Sequence, residues 1–435
     1  MRDAYRYAAP RRAYLPTEGT VPVDSIWQTE VPPSRPAPAW SGSVDVAIIG
    51  GGIAGVGVAY WLAREHGVAA AVFERGRVAA GASGRNAGFL LTGAADYYDA
   101  AIARWGRATT RAVWAFSAVN RSLMLETWAE EAIEAGWEPR GHAYLAGDAD
   151  EAGALAASHG LQLADGFASE LWDAAACRAA SASDRFVMGR FTPGDGQFHP
   201  ARALSGLADA AGRRGVRVYE ACAVEALTPR AGGWRLRTAC GPVAAERVVL
   251  AAAGPATAAL WPPTAGRLTP VRAQACVTAP APFWTACPLA TRYGAEYWRQ
   301  RADGGIVLGG ERRSAPGEDI GESAAEPSAP VQAALDRFLA ATWPGAALSV
   351  TRRWAGIMTY TPDGLPWVGP VAGAEGLYIA SSCTGHGFAF SWEAGRRLAA
   401  VISGARREPV CDWPVPAPGR PPARGTAPPS AADTD

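Results

Sequence analysis

The chain of 435 residues contains no lysine, so all of its 41 basic side chains are arginine. A guanidinium keeps its proton at any pH a folded protein tolerates. Neither a Schiff-base amine nor a deprotonated side-chain amine base is therefore available. Net charge is lacking too, because 41 acidic residues balance the arginines. No long-range field gathers nucleic acid or an anionic membrane surface, and small-molecule partners are expected. The seven cysteines, Cys177, Cys222, Cys240, Cys276, Cys287, Cys383 and Cys411, show no CxxC spacing. That argues against a metal site and a disulfide framework and fits a reducing, cytoplasmic setting. Long apolar runs are missing as well. The most apolar stretch, residues 44–63, is broken by Asp45 and a glycine cluster, whereas a membrane span needs about 20 continuous apolar residues. Arg11 and Arg12 precede Ala-Tyr-Leu-Pro-Thr-Glu-Gly-Thr, which has no apolar segment, so no export signal is read there.

What the chain does have is apolar mass, 49% of its residues, enough to fill the cores of two domains. Within residues 44–63, a β-branched strand runs into Gly50-Gly51-Gly52-Ile53-Ala54-Gly55 and then an amphipathic helix. This is a GxGxxG turn between strand and helix: Gly50 makes the sharp bend, Gly52 admits a pyrophosphate, and Gly55 lets helix pack on strand. Backbone N–H groups at the helix start favour an anion there. Glu74 ends the next strand, Ala70-Ala71-Val72-Phe73, where a carboxylate can accept from a ribose diol and disfavours a 2′-phosphate. An adenine dinucleotide other than NADP is expected.

Elsewhere the pattern alternates between helix and strand, with no internal repeat. Residues 96–136 carry helical apolar spacing (Ile102, Trp105, Val113, Phe116, Leu123, Trp128, Ile133) and read as two helices. Pro200 opens a helix through Ala211, capped by His199, and strands follow at 216–219, 234–238 and 247–252. Residues 270–312 read as a second sheet, and a helix follows near 329–342. In the strand Glu296-Tyr297-Trp298-Arg299-Gln300, alternation sends Tyr297 and Arg299 to one face and Trp298 to the other. Residues 1–43, with the proline-rich run 31–38, and the segment 413–435 read as tails or surface wraps.

Three further segments carry chemistry. Gly81-Ala82-Ser83-Gly84-Arg85-Asn86-Ala87-Gly88-Phe89 can lie against a cofactor, with Ser83, Arg85 and Asn86 reaching its phosphates or ring. Thr361-Pro362-Asp363-Gly364-Leu365-Pro366-Trp367 forms a tight turn. Cys383-Thr384-Gly385-His386-Gly387-Phe388 is a second glycine-rich approach, leading to a helix at Trp392–Ile402. Cys383 itself reads as a small buried residue rather than a nucleophile. Together with the first turn, these segments resemble the D-amino-acid-oxidase-like FAD-dependent oxidoreductases over residues 25–404. The likeness is strongest to the branch of sarcosine, glycine and γ-glutamylputrescine oxidases.

The resemblance implies a two-domain α/β flavoprotein, with a Rossmann-like FAD domain built from discontinuous segments and a mixed-sheet substrate domain. The expected division is an N-terminal extension at 1–43, an FAD domain at 44–95, 197–268 and 350–404, a substrate domain at 96–196 and 269–349, and a flexible tail at 405–435. It also implies that Gly50, Gly52, Ile53, Ala54 and Gly55 hold the pyrophosphate, Glu74 and Arg75 the adenosine, and Val224 the adenine through its backbone. Gly254 and Asp363 should approach the cofactor, and Gly385, His386 and Gly387 the flavin pyrimidine. His386, Tyr297 and Arg299 are the candidate catalytic residues, with Tyr293 and Trp298 as further lining.

Departures from the family pattern narrow the expectation. Glycine and D-amino-acid oxidases carry an arginine for the substrate carboxylate where this chain has Met358, which disfavours simple α-amino acids unless Arg299 or Arg312 substitutes. Covalent-flavin relatives carry a cysteine where this chain has Gly356, so dissociable FAD is expected. Family lysines used near the flavin and for oxygen activation are absent, Ala389 following GHGF. The expected reaction is oxidation of a C–N bond of an amine or N-substituted amino acid by hydride transfer to flavin N5, the imine then being hydrolysed, with oxygen or another electron acceptor. Alternatives are a flavin dehydrogenase of a hydroxy acid or biosynthetic intermediate, and a flavin-binding protein with little turnover.

Overall fold

The computed structural model describes residues 23–33, 40, 42–381, 384–407 and 409–411. Cys383 and most of both terminal segments lie outside the described residues. The first sheet has eight strands, in the order Trp367–Pro370, Leu377–Ser381, Gly241–Leu250, Gly42–Ile49, Ala70–Phe73 and Arg217–Tyr219, with the hairpin Val224–Arg230/Gly233–Thr238 joined to Gly241–Leu250. Gly42–Ile49 has parallel partners on both edges, and its second half, Val46 to Ile49, is buried without interruption. A strand covered on both faces needs such an apolar run. Val46, Ile48 and Val72 face the helices Ile53–His66, Arg107–Glu130, Pro200–Arg213 and Gly387–Ile402. Ala47, Ile49, Ala71 and Phe73 face the hairpin side, with Trp234 and Leu236.

The second sheet is mixed and also has eight strands, in the order Val350–Tyr360, Thr269–Pro280, Gly305–Gly310, Glu296–Gln300, Leu289–Thr291, His142–Ala146, Met188–Thr192 and Glu170–Trp172. One face, with Trp298, Leu308, Leu289 and Leu145, packs on the helix Ala329–Thr342. The opposite face carries Tyr297, Ala290 and Tyr144. Trp298 is therefore core, and the alternation read in its strand holds.

Several boundaries differ from expectation. Val350–Tyr360 is placed by its hydrogen bonding along Thr269–Pro280 at the edge of the second sheet, although residue 350 was expected to reopen the FAD domain. Arg107–Glu130, expected in the substrate domain, packs among the helices of the first sheet: Asn120 Nδ2 donates to Phe388 O (2.7 Å) and Trp392 Nε1 donates to Thr127 Oγ1 (3.0 Å). The last helix begins at Gly387 instead of Trp392, because residues 388–392 are buried as one continuous apolar turn. Within the segment 1–43 expected to be a tail or surface wrap, the described residues Ser25, Trp27 and Gln28 are buried. Cys222 and Cys240 form a disulfide pair with Cα atoms 5.4 Å apart, against the expectation that no cysteines pair. The fold brings them together where Cys222 leaves the hydrogen-bonded end of Ala70–Phe73 and Cys240 turns the hairpin.

Candidate functional site

The helices Ile53–His66 and Gly387–Ile402 leave the C-terminal ends of Gly42–Ile49 and Leu377–Ser381, parallel strands on either side of Gly241–Leu250. In open α/β sheets that edge, outside the carboxyl ends of the strands, is where ligands bind. Gly50 has φ +117°, and a Cβ there would lie 2.7 Å from Ala251 O, while one at Gly55 would collide with the carbonyl of Gly50. Both positions thus demand glycine for the reasons the motif predicts. Gly52 starts the helix without a capping side chain, Ile53 N–H donates to Ser83 Oγ (3.1 Å), and Ala54 is half-buried in the first turn. Glu74 braces this turn, accepting from Gly51 N–H (2.7 Å) and Gly76 N–H (2.8 Å). Arg75 beside it is exposed, and Val224 opens a strand whose outer edge has no partner among the described residues.

At the second helix start, Thr384 and Gly385 take positive φ (44° and 82°), and His386 is the N-cap residue without a capping side chain. Thr384 Oγ1 and His386 Nδ1 are buried with no hydrogen-bond partner among the described residues. Burial holds the His386 pKa below the usual histidine value, so the imidazole is neutral at neutral pH. Over this helix start lies the tyrosine face of the second sheet. A Cβ at Gly385 would meet Met358 Sδ at 3.1 Å and Tyr360 Oη at 3.5 Å, so Met358 and Tyr360 sit directly beside the turn. The Tyr297 ring fills the space left by Gly309 and stands edge-on to Phe89, centroids 6.1 Å apart. Burial pushes the Tyr297 hydroxyl up to about 12, with Tyr360 and Arg312 as its electrostatic neighbours. Phe89 in turn lies 5.9 Å from the His142 ring. The arrangement is a buried, aromatic compartment with neutral polar tips.

Several candidates are engaged in other contacts. Arg299, on the Tyr297 face of its strand, donates through Nη1 to Phe198 O (2.6 Å) and Gly88 O (3.1 Å), which ties the second sheet to the segments flanking the first, while its Nε is buried with no partner among the described residues. Arg85 is engaged with backbone carbonyls. Its guanidinium donates to Ala80 O (2.8 Å), Val23 O (2.7 Å) and Ala355 O (3.0 Å), three carbonyls that converge there. Asn86 is spent on its own loop, donating to Ala82 O and Ser83 O and accepting from Gly88 N–H. Gly254 N–H donates to Thr359 Oγ1 (2.8 Å). Asp363 shapes its turn by accepting from Leu365 N–H (3.1 Å), and its carbonyl accepts from Trp105 Nε1 (2.8 Å). Arg312 is held by Glu318, its Nη1 3.1 Å from the carbonyl and 3.6 Å from the carboxylate. Tyr293 hydrogen-bonds through its backbone N–H to Glu151.

Sequence reasoning missed a strap across the cofactor-side loop. Ser25 Oγ donates to Gly84 O (2.6 Å), Trp27 Nε1 to Asn86 O (2.7 Å), and Gln28 Nε2 to Ala79 O (2.8 Å) and Ala80 O (3.1 Å). The signal was a tryptophan between polar hydrogen-bonding residues, ahead of a proline-rich run.

The family model of the DAO type, FAD dependent oxidoreductase, matches residues 45–401. The chain belongs to this family. It is 27% identical over 371 residues to the gamma-glutamylputrescine oxidoreductase of Escherichia coli (strain K12), covering 83% of this chain and 84% of the relative. Against the glycine oxidase of Geobacillus kaustophilus (strain HTA426) it is 28% identical over 396 residues, 85% and 94% of the two chains. The crystal structure of glycine oxidase from Geobacillus kaustophilus superposes with a TM-score of 0.72 at 23% identity, covering 85% of this chain and 96% of that one. This family member is an FAD-dependent oxidoreductase with the mixed α/β, two-sheet fold of that structure. Its residues fit the cofactor that membership implies: neither glycine-led helix has a capping side chain at its N-cap, and the buried Thr384 Oγ1 and His386 Nδ1 await partners. Among the described residues no helix is long and apolar enough to cross a membrane, and no cluster of His, Cys, Asp and Glu could hold a metal ion.

Proposed function

We propose that the protein oxidises the C–N bond of an amine whose reacting carbon bears no carboxylate. FAD, held without a covalent bond, supplies a hydride acceptor. Gly50, Gly52, Ile53, Ala54 and Gly55 hold its pyrophosphate and Gly385, His386 and Gly387 its pyrimidine edge, where a helix N-terminus stabilises developing negative charge. Glu74 and Val224 serve its adenosine end. Gly356, where a cysteine anchors the flavin of some relatives, leaves no thiol for a covalent link.

The observation that carries this reading is the compartment of Tyr297, Tyr360 and Met358 above the turn at Gly385 and His386. Its apolar walls exclude water and penalise an ammonium, so the amine reacts as the free base, with its lone pair available to expel hydride from the adjacent carbon. Tyr297 and the neutral His386 orient it by hydrogen bonds. The resulting imine is hydrolysed in water. Met358 offers no charge to a carboxylate on the reacting carbon, Arg299 is committed to backbone carbonyls, and Glu318 already neutralises Arg312.

Anaerobic mixing of the flavin-loaded protein with N-methyl amino acids, polyamines and γ-glutamyl amines tests this. Bleaching of the flavin band by an amine, faster than by glycine or sarcosine, is the expected result. Bleaching by a hydroxy acid and by no amine would overturn it.

A further inference from the structure

Arg190, on Met188–Thr192, is 4% exposed and forms no ion pair with a described residue. Its Nη1 donates to Gln162 Oε1 (2.7 Å) and Thr192 Oγ1 (3.3 Å), while Nε is buried with no partner. The nearby acids are already engaged: Asp195 pairs with Arg121 at 2.7 Å, and Asp99 accepts from Ser158 Oγ at 2.7 Å. Burial pulls the guanidinium pKa down, against the opposing pull of Tyr144 and Tyr97 and, after them, of Asp195 and Asp99. A buried cation without a counter-ion costs several kcal/mol, and two neutral hydrogen bonds with the face of the Tyr144 ring offset this only in part. A second unsatisfied polar group lies beside it. His142 is 2% exposed, and its Nε2 is buried and partnerless.

Both groups project on the same face of the second sheet as Tyr297. Tyr297 lies opposite Ala290, Ala290 opposite Tyr144, and Tyr144 opposite Arg190, one unbroken row across the strands. Ring contacts join the ends: the Arg190 guanidinium is 5.2 Å from the Tyr144 centroid, Tyr144 is 4.7 Å from His142, His142 5.9 Å from Phe89, and Phe89 6.1 Å from Tyr297. We infer that Arg190, with His142 beside it, receives a carboxylate carried at the far end of the amine substrate. The inference rests on the amine-oxidising reading and deepens it. Three strand-to-strand steps separate Tyr297 from Arg190, about 14 Å between backbones. The carboxylate is thus several bonds from the oxidised carbon. An α-amino acid, which carries both on one carbon, cannot span the row, in keeping with the uncharged Met358.

The test compares ω-amino carboxylates of four to seven carbons with alkylamines of equal length, using the holoenzyme and the Arg190→Gln and Arg190→Lys variants, each checked for flavin content and melting midpoint. The wild type should prefer the carboxylated amine by about 100-fold in kcat/KM, the scale of a desolvated charge pair. That ratio should collapse toward one in Arg190→Gln, mainly through KM, and recover in part in Arg190→Lys. A wild-type ratio near one, or a ratio unchanged in Arg190→Gln, overturns the inference. Hexanoate, which has no amine to oxidise, supplies a readout independent of turnover and of how the variants fold. It should perturb the flavin spectrum of the wild type saturably, whereas hexanol should not. Hexanoate without effect overturns the carboxylate site even where amines bleach the flavin, while a hexanoate effect without bleaching by any amine leaves the site standing and removes the reaction.

Discussion

Burial removes the water that would stabilise an imidazolium, and it lowers His199 to about 4 and His142 to about 3. An unfolded chain takes up those protons near pH 6.5. Between about 6.5 and 4 the unfolded state therefore binds a proton that folded His199 refuses, and stability falls as pH falls; His142 extends the loss toward 3. Asp195 acts in the opposite sense, because burial raises it to about 6 and its protonation favours the folded state below that pH. The expected outcome is thus a difference between proteins. His199 Nδ1 accepts from Arg202 N–H at the start of Pro200–Arg213, and asparagine is a good N-cap acceptor that does not titrate in this range. Urea midpoints measured from pH 7 to 4 should fall less for His199→Asn than for the wild type; parallel curves would show that His199 does not carry the loss. This cap was legible because histidine followed by proline at a helix start leaves few other roles. Arg85 and Arg299 were not legible. Alternation put Arg299 on the correct face of its strand, but only tertiary structure could bring Gly88 O and Phe198 O to it.

The strap formed by residues 25–30 shows the same limit for elements. Its segment precedes a proline-rich run with no periodicity, so it looks like an extension, yet its polar atoms satisfy carbonyls at Ala79, Ala80, Gly84 and Asn86. Strands of the second sheet were hidden for another reason. His142–Ala146 is buried at every position, so it lacks the alternation that marks a half-buried strand. The glycine-rich helix starts were legible because their glycines are required by contact or backbone geometry, whatever the rest of the fold does. The strap's role can be measured. Trp27→Phe keeps the ring that packs against Arg299, Arg301 and His199 but deletes the hydrogen bond to Asn86 O. One such bond is worth about 1 kcal/mol, and FAD, which we place against the 81–88 loop, should dissociate roughly fivefold faster. Fluorescence of released flavin follows this directly. An unchanged release rate alongside a lowered melting midpoint would assign Trp27 to stability alone.

At the scale of the whole molecule, the two helix starts that we assign to FAD come from opposite ends of the chain, Ile53–His66 and Gly387–Ile402, and they meet through Trp61 and Trp392. Binding at both starts would add a further tie between segments the fold already packs together, so the cofactor is expected to stabilise the molecule as a unit. Because Gly356 supplies no thiol, this stabilisation should follow mass action: at a free FAD concentration of 100 times Kd it amounts to about 2.7 kcal/mol. For a protein of this size that corresponds to a rise in melting midpoint of roughly 2–4 °C. Apoprotein titrated with FAD should show a midpoint that climbs with the logarithm of free FAD, and acid precipitation of the holoprotein should leave the yellow colour in the supernatant. Colour retained in the pellet, with a midpoint indifferent to added FAD, would mean a covalent anchor at another residue and would overturn the role given to Gly356.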